Sequence, residues 1–154
     1  MSFSASHPKV VGDKTQLAVM AAMQEAGYGL YVPFGENTRC DLIVERDGQI
    51  ARLQIKTGRF SRGAVEFNVC SSYAHHPNPK VLKRTYENDV DFFAVYCRAT
   101  LRVYLIPIEE VPCKRTATLR VQPSRNGQSL GVRPADRYEI GTVAIARPRA
   151  PSGA

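Results

Sequence analysis

Two strand-like runs, Asp41-Leu42-Ile43-Val44-Glu45 and Ile50-Ala51-Arg52-Leu53-Gln54-Ile55-Lys56, flank Arg46-Asp47-Gly48-Gln49. Asp-Gly between alternating apolar runs is a strong short-range signal for a two-residue hairpin turn. With Asp47-Gly48 as the turn, Arg46 opposes Gln49, Val44 opposes Ala51 and Leu42 opposes Leu53, an apolar face that Ile55 continues. The other face carries Asp41 across from Gln54, with Lys56 two residues beyond on the same side. Turn chemistry thus dictates a register, and the register dictates which side chains meet.

That meeting has chemical content. A carboxylate, an amide oxygen and an ammonium within about 5 to 8 Å on one sheet face are what phosphodiester hydrolysis needs. A hard cation such as Mg²⁺ takes oxygen ligands, polarises a phosphate and acidifies a water, while a lysine steadies the water or the developing charge. On this reading Asp41 anchors the metal, Gln54 and the Ile55 carbonyl are neutral oxygen ligands, and Lys56 contacts water or phosphate. The bland alternative is a solvated ion pair on an open hairpin face, worth under about 1 kcal/mol.

Around the hairpin the pattern is that of one α+β domain. Asp13 reads as an N-cap for a helix from Lys14 to about Ala26, with Leu17, Met20, Ala21 and Met23 on its apolar face and Gly27 as its stop. Gly29 to Pro33 reads as a short first strand and Ala64 to Cys70 as a later one. Ser71 to Pro79 reads as a polar, proline-broken loop. Phe92-Phe93-Ala94-Val95-Tyr96-Cys97 is apolar on both faces, as in a central strand, and Leu101 to Ile106 returns from it. Ile108 to Val111 suits a short helical turn. We expect residues 1–9 to be a flexible N-terminus, 10–144 the domain, and 145–154 a disordered basic tail.

With 154 residues the chain is long enough for one core. Its 21 lysines and arginines against 14 acids give a formal charge of +7, which suits a polyanion. No apolar run approaches the roughly 20 residues of a membrane-crossing helix. The N-terminus lacks a secretory pattern, and Cys40, Cys70, Cys97 and Cys113 form no zinc-like spacing, so a cytoplasmic protein without structural zinc or disulfides is expected. His75-His76 most simply sits in solvent. Lys80, Lys83 and Arg84, at helical spacing, and Arg59 and Arg62, just after Lys56, are either phosphate contacts or an ordinary charged face. Tyr73, Tyr86 and Phe60 either stack on bases or pack.

Several ordered segments carry a resemblance: Gly12-Asp13-Lys14-Thr15-Gln16-Leu17, Val32-Pro33-Phe34-Gly35-Glu36-Asn37, Cys40-Asp41-Leu42-Ile43-Val44, Leu53-Gln54-Ile55-Lys56-Thr57-Gly58-Arg59, Asp91 to Tyr96 and Val103 to Pro107. In this order the chain resembles the PD-(D/E)XK nuclease superfamily, and more narrowly the small single-domain endonucleases that include group I intron-encoded homing endonucleases. The resemblance implies a restriction-endonuclease-like fold, a mixed β-sheet flanked by helices, and Mg²⁺-dependent cleavage of DNA, with Mn²⁺ able to substitute. It further implies a homo-oligomer, dimer or tetramer. Asp41, Gln54 and Lys56 match its catalytic motif, and Gln16 stands where relatives often carry a helix glutamate. Lys14, Arg39, Arg59, Arg62, Lys80, Lys83 and Arg84 are the candidate DNA contacts. Gln54 and Gln16 both replace acids, so Glu36 or Glu66 would have to supply any second carboxylate. Two alternatives stay open beside the homing-endonuclease reading: a Holliday-junction-resolvase-like nuclease, and a non-catalytic DNA-binding module on a degenerate nuclease fold.

Overall fold

The structure is a computed structural model and describes residues 7–75, 78–111 and 115–145, with the side chains of 72–84 outside the description. It opens on helix α1, Pro8–Glu25. The helix starts six residues before Lys14, so Pro8 and Lys9 belong to it rather than to a flexible N-terminus. Pro8 supplies a pre-set φ in the first turn, and His7 caps the end by accepting the Lys9 N–H through Nδ1, at 3.3 Å. Asp13 is therefore an interior helical residue. The buried stripe is Thr15, Val19 and Met23, spaced by four, while Leu17 is 67% exposed and Ala21 also faces solvent. Leu17 and Ala21, expected from their helical spacing to share the apolar face with Met20 and Met23, lie outside that stripe.

Strands β1 (Gly29–Tyr31), β2 (Leu42–Arg46), β3 (Gln49–Ser61), β4 (Ala64–Asn68), β7 (Phe92–Cys97), β8 (Arg102–Pro107) and β9 (Thr116–Arg120) form one sheet; β5 (Ser71–His75) and β6 (Asn78–Arg84) form a separate two-stranded one. The β2–β3 register is the one the turn dictates, with Leu42 opposite Leu53, Val44 opposite Ala51 and Arg46 opposite Gln49. Asp47 and Gly48 have φ of 53° and 74°, as a turn with two left-handed residues requires. β3 runs well past Lys56. It pairs with β7 in parallel from Leu53–Phe92 to Gly58–Cys97, then turns at Arg62-Gly63 into β4. The parallel β3–β7 pair makes the sheet mixed.

Residues 71–79 are thus mostly strand rather than open loop, and Lys80, Lys83 and Arg84 lie in β6 rather than on a helix. Helical spacing cannot separate the two for a short charged run. One α-helix and two 3-10 turns, Ile108–Glu110 and Ala135–Tyr138, are the helical elements among the described residues. None is long and apolar enough to cross a membrane.

Both faces of β3 are covered. On one face Val19 and Met23 of α1 pack on Leu42, Val44, Ala51, Leu53, Phe92 and Ala94. On the other, Val65, Phe67, Phe93, Val95, Tyr104 and Leu119 form a second core. Each such side chain contributes about 1.5–3 kcal/mol when buried. Alternate residues of β7 feed alternate cores, which is why that strand reads apolar throughout. Ile145 is buried in the first core, so the ordered chain includes the first residue of the expected tail; residues 146–154 lie outside the described residues.

Candidate active site

β2 begins at Leu42, and the residue before it continues the pairing only through its backbone: the Asp41 N–H donates to the Leu53 carbonyl at 2.9 Å. The Asp41 side chain then reaches across to β3. Its Oδ2 accepts the Gln54 amide Nε2 at 2.6 Å and the Ile55 backbone N–H at 2.9 Å. In a continued ladder that N–H would bond to strand backbone, so the carboxylate takes the place of the missing strand residue. N–H and C=O of one strand residue point to the same side, which puts the Ile55 carbonyl on this same edge.

Burial pushes the Asp41 carboxyl above its ordinary range; the Ile55 N–H, the Lys56 charge and the Gln54 amide pull it back. Lys56 is held in turn by a residue outside the hairpin. Its Nζ donates to Tyr86 Oη at 3.1 Å and lies 4.5 Å from the centre of the Tyr86 ring. Tyr86 is 6% exposed and stands edge-on to Phe93. It therefore packs; no face is left open for a base.

Arg39, expected as a DNA contact, is committed internally. It bonds Asp89 and Ser71 Oγ at 2.9 and 3.0 Å and the Thr85 carbonyl, and lies 4.6 Å from the Tyr86 ring. Ser71 and Thr85 flank the β5–β6 hairpin, so Arg39 clamps its base beside Asp41. Arg59 is exposed but paired with Glu66, and Arg62 is an exposed turn residue with φ of 50°. Lys14 is exposed on α1, and the side chains of Lys80, Lys83 and Arg84 lie outside the description. Gln16 is half-buried and makes no hydrogen bond to Asp41, Gln54 or Lys56 among the described residues; its neighbour Thr15 instead meets Thr57 at 2.7 Å. Glu66 pairs with Arg59 at 3.1 Å, and among the described residues no three His, Cys, Asp or Glu side chains cluster.

The support residues Tyr86, Asp89 and Asp91 escaped the sequence reading of the site. Asp91 fixes β3 by accepting the Arg52 backbone N–H at 2.7 Å and its guanidinium at 3.1 Å. A tyrosine and two acids thirty or more residues from the hairpin carry no spacing signal that ties them to it.

One half-buried carboxylate, one amide, one strand-edge carbonyl and one adjacent lysine thus meet on a mixed sheet. A family model for the PD-(D/E)XK endonucleases matches residues 6–141, and the chain belongs to that family. Among solved structures it is similar to the bacterial homing endonuclease I-Ssp6803I, at 20% identity and a TM-score of 0.71, over 87% of this chain and 89% of that one. No curated protein sequence matches it.

Proposed function

We propose that the chain is a metal-dependent endonuclease that hydrolyses double-stranded DNA, in the manner of a homing endonuclease. The observation that carries this reading is the Asp41 carboxylate bonded to both Gln54 and the Ile55 N–H, with Lys56 next along the strand. The donor set suits Mg²⁺, or Mn²⁺ in its place: Asp41 through Oδ1, Gln54 through its amide oxygen, and Ile55 through its carbonyl are all hard oxygens. A carboxyl raised by burial is also one that a cation would relieve. Such a cation, when bound, polarises the scissile phosphate and acidifies a neighbouring water. Lys56, steadied by Tyr86, donates to the attacking water or to the phosphate oxygen that gains charge. With a single carboxylate, the DNA phosphate itself is needed to complete the site, so metal binding should depend on DNA.

A duplex has two strands and each chain one such site, so cutting both together calls for a homo-oligomer, a dimer or tetramer. Light scattering checks the mass. Among the described residues Cys40 and Cys97 are free thiols, which suits the reducing cytoplasm.

The deciding measurement is cleavage of plasmid and oligonucleotide duplex with Mg²⁺ or Mn²⁺. Asp41→Ala and Lys56→Ala are each expected to slow it by roughly 10²–10³-fold while DNA binding persists. Equal cutting by wild type and Asp41→Ala rejects the mechanism. A four-way junction cut in preference to linear duplex makes the protein a resolvase. Salt-sensitive binding without any cutting would make it a DNA-binding module, the alternative that glutamine at both Gln16 and Gln54 motivates.

A further inference from the structure

The tip of the β3–β4 hairpin is clasped by the segment that follows β9. The Gly63 carbonyl accepts from the Val121 and Gln122 backbone N–H groups at 3.0 and 2.9 Å, and Arg120 Nη1 donates to the Arg62 carbonyl at 2.7 Å. Between the two segments lies a pocket of about 590 Å³ lined by Arg62, Arg120 and Arg125, together with Gln122, Ser124 and Asn126, and by no carboxylate. Five arginines elsewhere find acids: Arg39 with Asp89, Arg46 with Asp47, Arg52 with Asp91, Arg59 with Glu66, Arg102 with Glu139. Three guanidiniums sharing a concavity repel one another unless an anion joins them. Their planar forks suit a phosphate.

We infer that this pocket holds a backbone phosphate of the same DNA duplex that is cut at Asp41. The inference rests on the nuclease reading above. From Lys56 to Arg62 is six residues of extended chain, about 20 Å at ~3.3 Å per residue. At a rise of ~3.4 Å that is about six base pairs from the scissile phosphate. The pocket thus sets the register of the duplex at a distance from the chemistry, without reading bases.

The test couples a protein change to a DNA change. Arg62→Asn, which tolerates the positive φ, is combined with Arg125→Ala; both residues are exposed, and Arg120 is left to hold the hairpin. Binding is measured without divalent cation on duplexes carrying one neutral methylphosphonate at successive positions. Wild type should lose about tenfold in affinity when a position four to eight base pairs from the cut is neutralised, and its salt slope should fall by about 1. The double variant should bind unmodified DNA about tenfold more weakly, with an unchanged melting temperature, and be indifferent to that same methylphosphonate. Unchanged affinity in the variant overturns the inference, as does a methylphosphonate loss equal in both proteins. Pyrophosphate that stabilises wild type but not the variant, with DNA affinity equal, assigns the pocket to a free anion and overturns it too. Wild type that fails to bind duplex sinks the nuclease reading and the pocket with it. Wild-type cutting without the coupling sinks the pocket alone.

Discussion

β3 ends in two hairpins of the same kind, and they behave differently. Asp47-Gly48 at one end and Arg62-Gly63 at the other are both two-residue turns with left-handed φ at each position: 53° and 74°, then 50° and 76°. The first turn is open: a Cβ at Gly48 would meet nothing within 4 Å. At the second, a Cβ at Gly63 would stand 3.0 Å from the Gln122 side chain, because the Val121 and Gln122 N–H groups close on the Gly63 carbonyl. The first hairpin is specified by its own residues and carries the candidate chemistry. The second is held by a distant segment and carries charge. Local turn chemistry suffices to bring Asp41 beside Gln54, whereas the basic pocket exists only once the segment after β9 is docked.

The contrast can be broken by substitution. The largest effect is expected between the hairpins, at Gly58, where an added Cβ would meet Val65 Cγ1 at 2.6 Å and Val95 Cγ1 at 2.9 Å. Gly58→Ala should lose about 3 kcal/mol in urea unfolding, since neither valine can retreat from two buried strands. Next comes Gly63→Ala, at about 2 kcal/mol, against about 1 kcal/mol for Gly48→Ala, whose cost is φ strain alone. Equal losses at the two turns would show that the clasp contributes nothing.

The smallest expected effect is a gain. Asp41 has a folded pKa above its ordinary value of 3.8, so it favours folding only when protonated, and this contribution is lost as pH rises through the folded pKa. Asp41→Asn should therefore melt slightly higher than wild type at pH 7, and the gap should close as pH falls below 3.8. It should also abolish any stabilisation by Mg²⁺ with DNA. A lower melting point for Asp41→Asn at pH 7 would mean that the Ile55 and Gln54 bonds outweigh burial.

Much of the site was legible because its members are close in sequence. The β2–β3 register from Leu42–Leu53 to Arg46–Gln49 follows from one Asp-Gly turn and the two-residue period of a strand, and just beyond it the Gln54 amide donates to Asp41 at 2.6 Å. The both-faces burial of Phe92 to Cys97 was equally readable, since no polar residue interrupts it. The helix start was misread because Gly12-Asp13 resembles a cap, while the real one is His7-Pro8. Ser71 to Pro79 reads as a loop because Pro79, near the start of β6, looks like a loop proline. By itself, then, the sequence determined a hairpin, its register and an aspartate opposite a glutamine, all products of local sterics and periodicity. Only the tertiary structure decided what surrounds them: Tyr86 under Lys56, Arg39 turned inward, Gln16 unbonded to the three, and three arginines gathered at the far turn. Those depend on which strands lie side by side, and the parallel β3–β7 pair joins residues about forty apart in the chain, a separation that no local pattern reports.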